Sequence, residues 1–467
     1  MPVVTPVLFV PMMRLFDTAS REVRPLRQRT EGQVSMYVCG PTVYGPPHLG
    51  HGRFALVFDI LRRYLIWSGL DVTYVSNITD IDDKIINLAE AEGRHWSEVT
   101  DQWERVWYDA IDAIGVMRPD KDPHATTYVE QMIDLISDLI DKGAAYQSND
   151  GIYMSVQSVE SYGLLIHQDL DQLLAGGGER ELVGQQKRHP SDFALWKFVK
   201  PGEPSWPSPW GDGRPGWHTE CVVMSLDLLG EGFDIHGGGQ DLAFPHHENE
   251  RAQALADGKE FANHWVHNGF VEVAGEKMSK SLGNFTTLVD LIERHDPRSY
   301  RLLVLGSHYR SPVEVTESTI TAAENALHRL DALGRRLTAL GPAVVAVEPD
   351  RDALQAFGDS MDDDLDTPAV SAQIFGLVSR INRLLDDGDV DSAAPQAGAL
   401  LQILGAVGLT LNTETVEVPE AVTSLASQRD EARANKDWAL ADQLRDEITA
   451  AGWSVEDSPD GPVLRPI

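Results

Sequence analysis

The sequence predicts an α/β protein with a doubly wound parallel sheet, followed by an α-helical bundle and a small C-terminal α+β domain. Three observations lead to this prediction. Strand, turn, helix and strand patterns succeed one another over residues 35–79, long stretches of residues 318–410 show helical periodicity, and residues 453–467 have a strand-like composition. A strand–helix–strand unit favours a parallel sheet, because parallel neighbours need a crossover connection.

The first strand is predicted at SMYVCG, residues 35–40, where an apolar run ends in glycine. In GRFALVFDILRRYLIWSG, residues 52–69, apolar side chains recur at i, i+3, i+4 and i+7, which predicts an amphipathic helix. Gly69 is expected just after its C-terminus. Strand character then resumes at LDVTYVSNIT, residues 70–79.

His48 and His51 lie where the Gly/Pro-rich loop PTVYGPPHLGH enters this helix. The free N–H groups and the positive dipole end of a helix favour an anion there. Two imidazoles at that place can donate hydrogen bonds to phosphate oxygens during phosphoryl or nucleotidyl transfer. Two capping or surface histidines would give the same pattern.

Composition narrows the class of protein. The formal net charge of −33, from 72 Asp+Glu against 39 Lys+Arg, argues against broad attraction to membranes or nucleic acid. No apolar stretch reaches the roughly 20 residues that span a bilayer. The opening MPVVTPVLFVPMM has no positive n-region and contains prolines, so we expect a cytoplasmic protein without a signal peptide. A mis-assigned start codon, with Met13 as the natural beginning, is an alternative explanation of this opening.

The two cysteines, Cys39 and Cys221, are too few for a secreted disulfide framework. Downstream, PHHENERAQALA is predicted to be a helix with proline in its first turn, which places His246 and Glu250 on one face. Two cysteines, a histidine and a glutamate are a credible ligand set for tetrahedral Zn²⁺.

This ligand set has alternatives. His247 and Glu248 are competing candidates, and a helix with a charged outer face would show the same residues. A site made of four protein ligands would be closed and structural, unless one ligand is weak enough to admit a substrate.

GEKMSKSLGN, residues 275–284, sets Lys277 and Lys280 in a glycine-flanked loop of a very acidic chain. By itself this pattern fits a solvated turn. It fits a phosphate-binding loop only if the rest of the chain supplies a polyphosphate site.

Several segments together resemble the cysteinyl-tRNA synthetase family of class I aminoacyl-tRNA synthetases. They are MYVCGPTVYGPPHLGH, NITDIDDKI, KRHPSDFALWK, GWHTEC, FDIHGGGQDLAFPHHENE and KMSKSLGN, and the likeness continues to the C-terminal end. H-x-G-H and K-M-S-K-S are shared across class I enzymes, whereas YVCG, WHTEC and FPHHENE are far more specific.

The resemblance implies a Rossmann-like catalytic domain that joins L-cysteine, through a cysteinyl-adenylate, to tRNA(Cys). ATP with Mg²⁺ would be a substrate, and one Zn²⁺ per subunit would select the substrate thiolate in place of an editing site. The protein would be a monomer with no membrane partner.

The resemblance also implies a role for particular residues. Catalysis falls to His48, His51, Lys277 and Lys280, and ATP binding to His48, His51, His236, Gly237, Gly238 and Lys280. Substrate binding falls to Gly40, Thr79, Trp217 and Asp241. The zinc ligands are Cys39, Cys221, His246 and Glu250, with Glu250 expected to loosen most readily.

The predicted organisation has six segments. They are a first catalytic half at 13–127, a connective-peptide insertion at 128–214, a second catalytic half at 215–276, the lysine loop and stem-contact fold at 277–317, a helical bundle at 318–412 and an anticodon-binding domain at 413–467. In the last segment Trp453 is a candidate for base stacking, and Arg429, Arg433 and Arg445 are candidates for phosphate contact. Because residues 428–467 hold nine acids against five bases, a solvated helical face is the alternative.

Two other functions compete with this interpretation. An actinobacterial paralogue of the family ligates cysteine to an amino-sugar with the same chemistry, but lacks the long helical end. A zinc-stabilised nucleotide-binding module without catalysis would not need to keep both the His48/His51 and the Lys277/Lys280 pairs.

Overall fold

The computed structural model describes residues 13–170, 172, 187–272, 287–341, 347–414, 418–458 and 461–466. The chain divides into two compact units, Met1–Leu333 with Leu340–Thr410, and Gly334–Ala339 with Leu411–Ile467. Within the described ranges, no helix is long and apolar enough to cross a lipid bilayer.

The bounds of the elements are as follows. The strands β1–β14 are Arg14–Asp17, Glu22–Pro25, Gln33–Val38, Asp71–Ser76, Ala145–Gln147, Gly151–Met154, Phe193–Phe198, Gly213–Pro215, Ile235–Gly239, His264–Asn268, Val271–Glu272, Val313–Glu314, Trp453–Ser458 and Gly461–Pro466. The helices α1–α14 are Leu49–Trp67, Asp83–Glu92, Trp96–Ala113, Val129–Asp141, Trp217–Leu229, Glu248–Ala256, Leu288–Arg294, Pro297–Leu305, Glu317–Ala339, Arg351–Asp362, Thr367–Asp386, Val390–Ala406, Glu420–Ala434 and Trp438–Ala450.

The central sheet has the strand order β10–β9–β3–β4, and its three pairings are all parallel. Tyr37 of β3 pairs with Val75 of β4 and with His236 of β9, so these strands end at one edge. Helix α1 connects β3 to β4, and the antiparallel sheet β5–β6–β7–β8 is inserted between β4 and β9. The predicted α/β fold on a parallel sheet is confirmed.

Helix α1 fixes the predicted histidine turn at the carboxyl edge of this sheet. It begins at Leu49, with His48 as the N-cap, and Gly69 follows its end with φ +88°, as predicted. Phe58 is fully buried against β9. The contact needs glycine at Gly237, because a Cβ there would lie 2.3 Å from the Phe58 ring.

A buried ion pair joins α1 to α8. Arg301 Nη1 donates to Asp59 Oδ2 at 2.6 Å, and both side chains are 1% exposed. The same guanidinium donates to the carbonyl oxygens of Ile114 and Val407. Removing one partner from such a pair leaves a buried charge, which costs about 3–5 kcal/mol.

We therefore expect Asp59→Asn to lower the free energy of unfolding by about 3–5 kcal/mol, measured by urea denaturation. The matched control is Glu348→Gln, which breaks a pair with Arg351 in which both side chains are mostly exposed. That variant should change stability by less than about 1 kcal/mol. Equal effects of the two variants would contradict the role given to the buried pair.

The helical patterns of residues 320–341, 369–388 and 394–408 predict three helices, which correspond to α9, α11 and α12. Helix α10, Arg351–Asp362, lies between the first two stretches, where no helix was predicted, and Asp350 caps it by accepting from Ala353 N at 2.9 Å. The turn before α11 places Asp364 and Leu365 at φ +58° and +56°.

The C-terminal unit corrects two predictions. The helical pattern of residues 424–452 predicts one long helix, but this stretch is divided between α13 and α14, because Lys436 adopts φ +58° and Asp437 caps the second helix by accepting from Leu440 N. Trp453 is 7% exposed and packs in a small core with Val422 and Ile448, so its ring is not a stacking surface. Trp438, which was not singled out, is 60% exposed.

Candidate active site

A cleft of about 400 Å³ opens at the carboxyl edge of the central sheet. This edge is where open α/β sheets bind ligands, because the loops there diverge. The cleft is lined by Cys39, Gly40, Pro41, Thr42, Tyr44, His48, Leu49, Gly50, His51, Phe54, Lys84, Trp217, Gly239, Asp241, Leu242, Asn268, Gly269, Phe270 and Val271.

His48 and His51 form a reciprocal cap at the start of α1. His51 N donates to His48 Nδ1 at 3.2 Å, and His48 N donates to His51 Nδ1 at 3.3 Å. The rings stack with their centroids 3.6 Å apart. Burial lowers the pKa of both imidazoles, that of His51 to about 3.

This cap fixes the tautomer of each ring. Because Nδ1 accepts a backbone hydrogen bond, it carries no proton, and the neutral ring is protonated on Nε2. His48 and His51 can therefore each offer a neutral N–H donor from Nε2, which suits contact with an anion and needs no ionisation of the ring.

Four predicted metal ligands come together at the floor of the cleft. The Sγ atoms of Cys39 and Cys221 are 3.5 Å apart, and Cys39 Sγ lies 3.5 Å from Glu250 Oε1. His246 Nε2 lies 3.6 Å from Cys221 Sγ and 3.1 Å from Glu250 Oε1. Cys39 follows the end of β3, Cys221 lies on α5, His246 in the turn entering α6 and Glu250 on α6 itself, and all four side chains are buried.

In a zinc site with Zn–S near 2.3 Å and Zn–N or Zn–O near 2.0–2.1 Å, neighbouring donor atoms of a tetrahedron lie about 3.3–3.8 Å apart. The three separations that involve a sulfur atom fall in this range, and the 3.1 Å between His246 Nε2 and Glu250 Oε1 is slightly shorter. Burial raises the pKa of the Cys39 and Cys221 thiols. Burial also keeps His246 neutral by lowering its pKa well below the usual value. Thiolates therefore need a cation beside them, while the imidazole is already in its ligating form.

His218 supports this arrangement, although it was not singled out from the sequence. Its Nδ1 lies 2.9 Å from His246 Nδ1. If His246 Nε2 faces the ion, His246 Nδ1 carries the proton and donates to His218. Burial lowers the pKa of His218 to about 3, so its ring stays a neutral acceptor. A partner of this kind orients a metal-binding imidazole.

The predicted start of the helix near Pro245 needs correction. Phe244 is extended, with φ −145° and ψ 134°, and α6 begins only at Glu248. The predicted i, i+4 proximity of His246 and Glu250 nevertheless holds across this turn.

The competing ligand Glu248 is occupied elsewhere. Its carboxylate accepts from Leu165 N at 2.7 Å and pairs with Arg251 at 2.9 Å. His247 belongs to a second convergent set with Cys39, His236 and Glu250. Its Nδ1 lies 2.8 Å from His267 Nε2.

His236 lies behind the cluster and not on the cleft wall. Its Nε2 is 2.8 Å from Glu250 Oε2, its Nδ1 is 3.2 Å from the carbonyl oxygen of Tyr37, and the residue is fully buried. The ring thus holds the carboxylate oxygen of Glu250 that points away from the thiols. Gly237 and Gly238 are also buried, and a Cβ at Gly238 would lie 3.0 Å from the His247 ring.

Three of the four predicted substrate-binding residues line the cleft, namely Gly40, Trp217 and Asp241. Trp217 stacks on His246 with the ring centroids 4.1 Å apart. Gly40 has no room for a side chain, since a Cβ would lie 1.7 Å from the Asn77 carbonyl oxygen. Its N–H donates to Asn77 Oδ1 at 2.9 Å.

Thr79 lies one layer deeper. It is 1% exposed, and its hydroxyl donates to Glu220 Oε2 at 2.9 Å and receives a hydrogen bond from Asn77 Nδ2 at 3.2 Å. Asn77 thus links Thr79 to Gly40, which the sequence did not indicate. The predicted Lys277 and Lys280 lie outside the described residues.

Two further residues of this region were not predicted as site residues, although they belong to motifs that resemble the family. His218 is part of GWHTEC, and Lys84 is part of NITDIDDKI. Their residue types and motif membership were the only signals available, because their partners lie far away in the sequence.

Three family models match the chain. The tRNA synthetase class I (C) catalytic domain matches residues 25–325, the DALR domain matches residues 356–412 and the cysteinyl-tRNA ligase anticodon-binding domain matches residues 415–463.

Relatives match over nearly the whole chain. The cysteine–tRNA ligase of Halorhodospira halophila is 45% identical over 461 residues, which is 96% of this chain and 98% of the relative. That of Streptomyces avermitilis is 42% identical over 462 residues, with the same coverage of 96% and 98%.

Solved structures share the fold at low identity. Methionyl-tRNA synthetase of Mycobacterium tuberculosis, in complex with methionyl-adenylate, has a TM-score of 0.60 at 15% identity, over 80% of this chain and 89% of that one. The leucyl enzyme of Agrobacterium radiobacter has a TM-score of 0.60 at 13% identity, over 82% and 85%. With its sequence relatives and its catalytic-domain match, the chain belongs to the cysteine–tRNA ligase family of class I aminoacyl-tRNA synthetases.

Proposed function

We propose that this enzyme ligates L-cysteine to tRNA(Cys) in two steps within the cleft. The cysteine carboxylate attacks the α-phosphate of ATP, supplied with Mg²⁺, and pyrophosphate leaves. A ribose hydroxyl at the 3′ end of tRNA then attacks the acyl carbon of the cysteinyl-adenylate, and AMP leaves. The supporting observation is the convergence of two thiols, an imidazole and a carboxylate beside the His48/His51 turn.

Cys39, Cys221, His246 and Glu250 are proposed to hold one Zn²⁺. This set is preferred to the His236/His247 set because it uses both thiols of a pair only 3.5 Å apart. Zinc, when bound there, would supply a borderline-soft Lewis acid that favours a thiolate ligand over the serine hydroxyl.

The protein's own groups restrain this site. His236 holds Glu250 Oε2, while Glu250 Oε1 faces the thiols, so the carboxylate is oriented without being locked on both oxygens. Glu250 is proposed as the ligand that loosens when substrate enters. Trp217 covers the His246 ring and limits the space beside it.

The phosphate end is assigned to His48 and His51, with Lys277 and Lys280 of the K-M-S-K-S loop assisting as charge moves to the leaving pyrophosphate. Asp241 is proposed to take the substrate ammonium, with Gly40 and Thr79 shaping the floor of the pocket. His236, Gly237 and Gly238 are buried, so any contribution of these residues to ATP binding is proposed to be indirect.

The six-segment organisation and a cytoplasmic monomer stay predictions. Under them the 413–467 segment reads the anticodon, which agrees with the family model matched at 415–463. Of the three arginines predicted to contact phosphate in this segment, Arg429 is excluded, because its side chain is only 1% exposed. Arg433 and Arg445 are kept as candidates.

Charging of tRNA(Cys) with labelled cysteine, ATP and Mg²⁺ tests the proposal, run beside serine and beside an amino-sugar acceptor. We expect cysteine on tRNA alone. A pocket that distinguishes serine from cysteine by size alone would favour cysteine by about 1–3 kcal/mol, or at most about 200-fold. A preference for cysteine over serine larger than about 200-fold therefore supports selection at a metal. Transfer of cysteine to the sugar, with tRNA uncharged, would refute the proposal.

A further inference from the structure

Lys84 is a cation in the cleft with no assigned role. It is the one lysine or arginine among the described residues that line the cleft. It is exposed, and its Nζ lies 5.0 Å from the centroid of the Tyr44 ring. Its positive charge reaches both histidines of the turn, since it contributes to lowering the pKa of His48 and of His51.

The acids next to Lys84 in sequence do not neutralise it. Asp83 is paired with Lys197 at 2.6 Å and with Arg214. Asp82 Oδ1 accepts from the Lys84 backbone N–H at 2.9 Å, as the cap of α2. Within the part of the chain that the structure describes, no carboxylate forms an ion pair with the Lys84 ammonium.

Lys84 has no ion-pair partner among the described residues, although the chain carries 72 acidic against 39 basic residues. The π-face of Tyr44 holds the ammonium by a weak cation–π contact without satisfying its donors. The Lys84 ammonium and the two Nε2–H donors thus line the same cleft, and the three groups together suit one anion with several oxygens. The lining carboxylate Asp241 gives the same cleft a complementary place for a cationic group.

We propose that Lys84 binds a phosphate group of a substrate, acting with His48 and His51 as a third donor. The proposal rests on the function given above. Two substrates carry the required chemistry: the triphosphate of ATP, which leaves as pyrophosphate, and the phosphodiester at the 3′ end of tRNA.

The test uses the full-length enzyme with Lys84→Met and Lys84→Arg, and with Lys121→Met as a control at an exposed lysine outside the cleft. Two rates separate the substrates, namely cysteine-dependent ATP–pyrophosphate exchange without tRNA, and single-turnover transfer from preformed adenylate to tRNA. Wild-type exchange and charging are measured first, because their absence would refute the proposed function and not the role of Lys84.

Losing a charge-assisted hydrogen bond should reduce the affected rate about 10- to 100-fold in Lys84→Met. Lys84→Arg should retain most of the rate, since it keeps the charge. A fall in exchange, with a higher KM for ATP and weaker inhibition by pyrophosphate, identifies the triphosphate. Normal exchange with slow transfer and a shallower salt dependence identifies the tRNA phosphate.

Three outcomes would overturn the proposal. One is that both rates are unchanged in Lys84→Met. Another is that the control variant loses as much activity. The third is that only the KM for cysteine rises, which would assign Lys84 to the amino-acid carboxylate.

Discussion

Replacing Cys221 by serine is expected to lower the affinity for zinc, and with it the rate of cysteine activation, by about 10²- to 10³-fold. Cys221 Sγ lies 3.5 Å from Cys39 Sγ and 3.6 Å from His246 Nε2, so its loss opens one corner of the tetrahedron. Structural zinc sites bind with about 10–16 kcal/mol, so one of four ligands contributes roughly 3–4 kcal/mol, or about 10²–10³ in affinity. Metal content and pyrophosphate exchange measure the two effects.

The matched control is Val222→Thr on the same helix. Val222 is fully buried, so this change also introduces a buried hydroxyl, but it removes no ligand. It should destabilise the fold by about 1–3 kcal/mol and keep the zinc. If Cys221→Ser retained zinc and selected cysteine over serine as the parent does, the proposed ligand set would be wrong.

Replacing His51 by asparagine should reduce adenylate formation about 10²- to 10³-fold while leaving stability almost unchanged. The Asn Oδ1 atom can stand in for Nδ1 and accept from His48 N, which preserves the cap seen at 3.3 Å. It has no counterpart of the Nε2–H donor. Losing one donor to a developing negative charge costs about 3–4 kcal/mol in the transition state. Pyrophosphate exchange and thermal unfolding separate catalysis from folding.

His95→Asn is the matched control, because His95 is also an N-cap. It is exposed, lies at the start of α3, and its Nδ1 accepts from Ser97 N at 3.4 Å. That variant should keep full exchange activity. His51→Gln provides a second comparison, since it retains a donor near the Nε2 position and loses the cap. Similar exchange in His51→Asn and the parent enzyme would exclude the Nε2–H group from the chemistry.

The effects of Cys221→Ser and of His51→Asn can be told apart, because each variant should alter one group of residues and leave the other intact. Cys221→Ser should fail with cysteine yet leave the His48/His51 cap intact, since the two groups have no hydrogen bond in common. His51→Asn should keep its metal. A loss of zinc in His51→Asn would indicate that the variant disturbs the cleft as a whole.

Helix α1 and its ends could be predicted from the sequence, because the patterns that define them lie within a short stretch of the chain. The period of apolar residues gave α1, Gly69 marked its end, and His48 and His51 fell at its N-terminus. Residue chemistry also named two thiols, an imidazole and a carboxylate as metal ligands. Where local signals compete, prediction was poorer. The continuous helical pattern after residue 424 concealed the break at Lys436, and Pro245 suggested a helix start three residues too early.

The sequence by itself determined the parallel α/β fold, the family, and the residue types of the site. Only the tertiary structure decided which of these residues meet. Cys39 and Cys221 are 182 positions apart and become neighbours because β3 and α5 pack at one sheet edge. The tertiary structure also places the His236 side chain against Glu250, behind the cleft wall, and buries Trp453 in a small core. Such assignments depend on packing between segments distant in the chain, and periodicity within one segment carries no information about them.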